Sequence, residues 1–474
     1  MGDDTADTAA THTDRTGATH TDRTGNTGRT GTADHTGTAD HTGAERPGLA
    51  ARHRAVLPTW LALYYAEPVE LVRGEGRHVW DAAGNRYLDF FGGILTTISG
   101  HAVPEVVDAI RQQAGKLIHS STLYLSRPMV ELAERIGELS RIPDAKVFFT
   151  PSGSEANDAA LLLATCFRQS NQVLAVRNSY HGRSFSAIAI TGNRFWSPTS
   201  VSGLSVSYVH GGYRLRSPYR SLDDAAYIAA CVQDLRDVLD MCTSGDVACM
   251  IAEPIQGVGG FAVPPDGLFG AMKEVLDQHG ILFVSDEVQT GWGRTGDHFW
   301  GYQAHNLIPD VLTFAKGVGN GLALGGVVAR AEIMDSVTAN SISTFGGNPL
   351  ATAGALANLE YLLSHDLQGN ALKMGHVFME RLRPLVDRHP YLAEARGRGL
   401  MLAVETCQPG GLTPWPEAAG ALMEACRRRG LLVGKGGLYG NVLRMAPPLS
   451  VTADEVSQGL DIIEAAVDEV AAGT

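Results

Sequence analysis

The sequence predicts an α/β protein, with a mostly parallel sheet flanked by helices and a smaller α+β domain. Two apolar runs and the chain length carry that reading. Residues 281–285 (Ile-Leu-Phe-Val-Ser) form a short apolar run between Gly280 and the acidic pair Asp286 and Glu287. Residues 311–315 (Val-Leu-Thr-Phe-Ala) form a second, after a turn-rich stretch from Gly291 to Gly296, and lead into Lys316. Runs without apolar/polar alternation fit strands buried on both faces, as in parallel sheets. The chain has 474 residues and is 44% hydrophobic, ample for a large core plus a smaller one at about 100–200 residues per domain. Ligands of open α/β sheets bind at the carboxyl ends of the strands, which is where Asp286 and Lys316 are expected.

Residues 1–49 come first. Ala-Thr-His-Thr-Asp-Arg-Thr-Gly occurs twice in tandem from residue 10, and Thr-Ala-Asp-His-Thr-Gly twice from residue 32. No large apolar residue other than Met1 precedes Leu49, so burial cannot offset the entropy of ordering and a disordered tail is expected. The tail lacks the apolar core of a signal peptide, and its aspartates argue against a mitochondrial presequence. His12, His20, His35 and His41 read as solvated side chains, and no metal site is expected.

The folded chain is expected to begin near Ala50. Residues 78–80 and 86–90 flank the turn at 81–85 and read as a hairpin. Residues 106–117 and 129–139 carry helical spacing, and 146–150 is another buried strand. That strand runs into Pro151-Ser-Gly-Ser-Glu-Ala-Asn157 and a helix to about Phe167. A glycine-containing turn that opens a helix offers free N–H groups to an anion, and it equally suits a plain N-cap by Ser152 or Ser154. Strand-like 173–176 leads to Tyr180-His181-Gly182, where the tyrosine ring could stack on a ligand or simply be buried. Residues 206–219 read as loop. Residues 248–252 form a buried strand that delivers Glu253 to the same sheet edge, in a supporting role. The glycines from 317 to 321 read as a turn, not a dinucleotide loop. Residues 399–404 and 431–433 are short strands in the carboxy-terminal part. Arg444 stands in an apolar segment, Val442 to Leu449, where it needs a partner. A substrate carboxylate would serve, and so would Glu405.

Composition excludes several classes of partner. The formal charge of −13 argues against nucleic acid and anionic membrane. Six cysteines without a C-x-x-C pair fit a reducing cytoplasm better than a disulfide framework. No apolar run approaches the roughly 18 residues of a membrane span.

An aspartate and a lysine at adjacent strand ends suit pyridoxal phosphate. The carboxylate keeps the pyridinium nitrogen protonated, and the lysine holds the aldehyde as a Schiff base. At Asp286-Glu-Val-Gln-Thr-Gly-Trp-Gly-Arg-Thr-Gly296, followed by Lys316, the chain resembles the class III pyridoxal-phosphate-dependent aminotransferases. The resemblance covers residue 60 to the end. It implies a fold-type I enzyme with a seven-stranded, mostly parallel sheet. Residues 101–349 would then form the large domain, and 50–100 with 350–474 the smaller one. It implies that Gly153 and Ser154 hold the cofactor phosphate, that Tyr180 stacks on the ring, and that Gln289 reaches its phenolic oxygen. His181 would support the site. Thr344, in Ser343-Thr-Phe-Gly-Gly-Asn-Pro349, would reach the neighbouring subunit's phosphate, which implies a homodimer, with a tetramer as the larger option. Arg444 would bind the substrate carboxylate.

Family members with a Q-G-E segment carry a glutamate able to neutralise that arginine, whereas this chain has Val258 after Gln256 and Gly257. The pattern resembles the alanine–glyoxylate and 3-aminoisobutyrate–pyruvate branch. The activity implied is ping-pong transfer of an amino group from an amino acid or ω-amino acid to a small 2-oxo acid such as pyruvate or glyoxylate. Lys316 would be the proton carrier. A racemase or aminomutase would use the same constellation. A catalytically silent binding protein would not need Asp286, Lys316 and Arg444 together.

Overall fold

The computed structural model describes residues 48–473; the repetitive tail lies outside them, apart from Gly48 and Leu49. The described chain falls into two units with the boundary after Ala62. The first holds the helix Leu49–Val56, which has no buried residue and is closed by Leu57 N–H donating to His53 O at 3.0 Å.

The second unit opens with β1 (Leu71–Glu75), β2 (His78–Asp81) and β3 (Arg86–Asp89), an antiparallel set in which Asp81 ties the 81–85 turn through Ala83 N–H and Asn85 N–H. The large sheet follows: β4 (Ala145–Thr150), β5 (Gln172–Val176), β6 (Ser205–Val209), β7 (Cys249–Ala252), β8 (Leu282–Asp286), β9 (Val311–Phe314) and β10 (Gly325–Arg330). Its order is β4-β10-β9-β8-β7-β5-β6. Only β10 runs antiparallel to its neighbours.

The unbroken apolar runs have a direct cause. Val173, Ala175, Cys249, Ile251, Leu282 and Val284 pack on one face, against the helix Gly153–Arg168. Their neighbours Leu174, Val176, Met250, Ala252 and Phe283 pack on the other, under the helices Asp224–Cys242 and Leu268–Gln278. Both faces are buried, so neither can be polar. The sheet thus has seven strands, as expected.

One stretch read as loop is a strand: residues 205–209 form β6. As the edge strand it pairs only with β5 and keeps Ser205 exposed, so it lacks the continuous apolar run of the central strands.

After the helices Pro349–Ser364 and Leu367–Arg388 come β11 (Leu392–Arg398), β12 (Met401–Thr406), β13 (Leu431–Leu432), β14 (Gly434–Gly436) and β15 (Val442–Met445). A second four-stranded sheet has the order β11-β12-β15-β14, and β13 pairs in parallel with β3. Side chains alternate across this sheet. Leu402, Val404, Leu443 and Met445 face a core that includes Leu422 and Leu460 from two flanking helices, Pro416–Arg428 and Ala453–Ala472. Met401, Ala403 and Val442 face the opposite way, onto Ile255 and Phe261. Arg444 lies on that second face by the same alternation.

Candidate active site

β8 and β9 are parallel neighbours with Asp286 opposite Thr313. Asp286 therefore ends one strand as Lys316 follows the other. Lys316 takes a left-handed backbone, φ +47°, a conformation that costs a non-glycine residue and collects at functional positions. Burial lowers its pKa; Arg444 adds to the fall, while Asp286 and Glu253 oppose it.

Asp286 is buried and fully engaged. Its Oδ2 lies 2.8 Å from His181 Nδ1 and accepts from Asn157 Nδ2 at 2.8 Å; its Oδ1 accepts from Val288 N–H at 3.1 Å. Thr313 Oγ1 donates to Asn157 Oδ1 at 2.7 Å, which fixes the amide with its nitrogen toward Asp286. Glu253, next along the sheet edge, accepts from Tyr180 N–H and Gly257 N–H, both at 2.8 Å. Burial pushes its pKa up to about 7, helped by Asp286 and opposed by His181 and the two N–H bonds.

The helix Gly153–Arg168 starts at this edge. Ser152, not Ser154, is its N-cap, accepting from Glu155 N–H at 3.2 Å. Ser154 Oγ accepts from Arg183 N–H at 3.1 Å and so anchors the loop after Gly182. Gly182 has φ +134°, and a Cβ there would stand 2.5 Å from Ser154 Oγ; only glycine permits this approach. A cavity of about 330 Å³ is bounded by these parts, with Gly153, Ser154, Tyr180, His181, Glu253, Asp286, Gln289 and Lys316 in its wall.

The structure thus brings together eight of the ten residues singled out in the sequence. Thr344 is not among them: it is exposed, between Ile342 and Phe345, which are also exposed. Arg444 is buried beside the site, not in its wall. Its Nη1 donates to Gly257 O at 3.1 Å and its Nη2 to Lys435 O at 2.9 Å, while Nε has no partner. Phe91 and Phe261 rings lie 5.2 and 5.3 Å from its guanidinium carbon. No salt bridge reaches Arg444 among the described residues, and Glu405 pairs with Arg396 and Arg216 instead. Burial pulls the Arg444 pKa down, partly offset by Tyr64 and Glu253.

Sequence reasoning missed Asn157 and Thr313, although Asn157 stands one turn into the helix from Gly153, where its side chain returns to the same end. The rest of the Asp286 motif is architectural. Glu287 accepts from Ser285, Thr290 and the N–H groups of Gly301 and Tyr302. Arg294 donates to Leu400 O and Pro447 O, tying the small-domain segments to the motif.

Pyridoxal phosphate fits these residues. The helix start at Gly153 offers N–H groups to its phosphate. Buried Gln289 Oε1 and His181 Nε2 lack partners among the described residues, and an acid and an amine share the cavity wall. The sequence profile described as Aminotransferase class-III matches residues 64–467. A mitochondrial alanine–glyoxylate aminotransferase 2 homolog from Arabidopsis thaliana is 38% identical over 86% of this chain and 84% of its own. The mitochondrial alanine–glyoxylate aminotransferase 2 of Homo sapiens is 33% identical over 88% and 85%. An alanine/serine racemase from Pyrococcus horikoshii is 33% identical over 90% and 91%. Among solved structures, a PLP-bound amine transaminase from an uncultivated Pseudomonas species superposes with a TM-score of 0.80. It is 30% identical, covering 91% of this chain and 99% of that one.

The chain belongs to the class III aminotransferases. It is a pyridoxal-phosphate-dependent aminotransferase of fold type I.

Proposed function

We propose that this enzyme moves an amino group from an amino acid or ω-amino acid to a small 2-oxo acid such as pyruvate or glyoxylate. The observation that carries the substrate class is Arg444, a buried cation without a carboxylate partner, electrostatically coupled to Lys316 and hydrogen-bonded to the turn that holds Val258. A bidentate substrate carboxylate supplies the missing partner. Valine at 258 brings no charge to compete in either half-reaction.

When bound, pyridoxal phosphate supplies an electron-withdrawing ring that takes up the electron pair left when the substrate loses its α-proton. Asp286, oriented by His181 and Asn157, keeps the ring nitrogen protonated. Lys316 Nζ, made less basic by burial, takes the α-proton and delivers it. Gly153 and Ser154 would hold the phosphate, Tyr180 would cover the ring and Gln289 would meet its phenolic oxygen, while Glu253 holds Tyr180 and Gly257 in position. The relatives' names support the same donor and acceptor chemistry.

The working form we propose is a homodimer. Thr344 is exposed between exposed Ile342 and Phe345, and Leu123, Tyr124 and Leu125 are exposed as well; apolar residues left to solvent suit a second copy of the chain. A cytoplasmic setting is supported by the absence of disulfides among the described cysteines.

The deciding experiment is a half-reaction panel. Holoenzyme mixed with single amines and no acceptor should convert to the amine form of the cofactor, seen by absorbance; racemisation without conversion would establish the racemase reading. Arg444→Ala should weaken every acid by about 2–4 kcal/mol in transition-state binding, Arg444→Lys should be poor, and a donor lacking a carboxylate should be spared. Val258→Glu should impair small acids. Acids unaffected by Arg444→Ala would refute the clamp.

A further inference from the structure

Arg396, Ala403 and Arg444 stand opposite one another across β11, β12 and β15. Directly opposed residues project to the same face, so two arginines flank one alanine on the face toward residues 255–261. Glu405 lies two residues along β12 from Ala403 and shares that face. It is therefore on the diagonal to both arginines, within reach of long side chains.

A buried carboxylate so placed has two cations to choose between, and it takes one. Arg396 Nη1 donates to Glu405 Oε2 at 2.7 Å. The remaining acceptor positions are filled from elsewhere. Arg216 donates to Oε1 through Nη2 at 2.6 Å and Nε at 2.8 Å; Tyr213 Oη donates to Oε2 at 2.6 Å; Asn441 Nδ2 donates to Oε1 at 3.2 Å. Arg396 is also held, by Glu394 at 2.6 Å and by two bonds to Gly260 O at 3.0 and 2.8 Å. Arg216 and Arg396 balance Glu394 and Glu405, so the cluster is neutral without Arg444. The two guanidinium groups grip one turn from two sides, Arg396 at Gly260 O and Arg444 at Gly257 O.

We propose that Arg396, with Arg216 and Tyr213, is a positioning group that keeps Glu405 away from Arg444 and so leaves Arg444 open to the substrate carboxylate. The inference rests on the reading of Arg444 given above. Losing Arg396 leaves Glu405 with Arg216 as its one cation and the cluster with one negative charge in excess, and Arg444, on the same face, becomes the cation able to offset it. The substrate then competes with an internal carboxylate.

The test uses holoenzyme carrying Arg396→Gln, Glu405→Gln, both together, and Arg216→Gln. Two quantities are read. One is the Kd of an unreactive short carboxylate, propionate, by calorimetry; the other is the rate of single half-reactions with acids and with a carboxylate-free amine. Arg396→Gln should weaken propionate and the acids roughly tenfold or more, and leave the amine within about twofold, no carboxylate contact being lost. The double variant should recover carboxylate binding, because the buried competitor is neutral and the carboxylate left unpaired, Glu394, is partly exposed to water. Arg216→Gln, at a partly exposed residue, should shift carboxylates the same way by less, and decides the matter should Arg396→Gln not fold. A double variant as weak as Arg396→Gln, or acids and amine declining together, would mark a merely structural cluster and overturn the proposal. Acids crippled by Arg444→Ala but untouched by Arg396→Gln and Arg216→Gln would overturn the proposal alone. Acids untouched by Arg444→Ala would overturn the clamp and the proposal with it.

Discussion

Lys316 holds a backbone conformation that a lysine adopts only under constraint, and two strand ends impose it. Lys316→Ala should abolish turnover while cofactor still binds through the separate helix start at Gly153. Borohydride treatment followed by peptide mapping should label Lys316 in the parent enzyme and nothing in the variant. A second buried base behaves differently. His305 packs edge-on against Phe269 at 4.8 Å, and burial drives its pKa down to about 4. The neutral ring is the one the fold favours, so its contribution is complete above the unfolded value near 6.5 and is lost as pH falls through about 4. His305→Gln should therefore cost more Tm at pH 7.5 than at pH 4.5. Calorimetry giving the same deficit at both would show that another group governs the acid limb. At this scale the position of Asp286 and Lys316 at neighbouring strand ends was legible from two apolar runs, while the role assigned to them leaned on the motif around Asp286. Asn157 was not, because its bond to Asp286 depends on how a helix and a distant strand meet.

Elements whose two faces are both buried announced themselves, because Val173 to Val176 and Leu282 to Val284 can carry nothing polar outward. β6 and β10 did not. β6 is an edge, and β10 begins with Gly325 and Gly326, which shorten its apolar run. Those glycines are required by crowding: a Cβ would lie 2.8 Å from Phe314 O at Gly325 and 2.6 Å from Phe148 O at Gly326. Gly182 is a similar case between Ser154 and the loop beyond. Gly182→Ala should displace Ser154 and the start of its helix. The expected result is cofactor affinity lowered at least tenfold, about 1.4 kcal/mol or more, with a smaller fall in the Tm of the apoenzyme. Equilibrium dialysis finding parental affinity would show that the phosphate is held elsewhere.

The molecule as a whole leaves Leu125 99% and Phe345 62% exposed, the latter next in the chain to the exposed Thr344. A soluble chain rarely leaves such a patch bare. Phe345→Glu and Leu125→Glu should shift the mass toward monomer in light scattering and lower turnover at least tenfold. A fully active monomer would contradict a shared site. Thr344 was singled out only by resemblance, and nothing among the described residues of one copy brings it to the cavity wall.

The placement of β10 between β4 and β9 also governs the timing of assembly. β4 ends just before the Gly153 helix start, yet it pairs with β10, which leaves the ribosome only after Lys316. A Cβ at Gly153 would touch Val288 and Ala315, so the phosphate end is walled by residues synthesised much later. At about 5–20 residues per second, roughly ten to thirty seconds separate β4 from its partner. During that interval the edge of β4 that β10 later covers stays unpaired, in addition to the outer edge that β4 keeps in the finished sheet. Chains stalled before Val311 lack both Ala315 and Lys316, and should therefore emerge colourless.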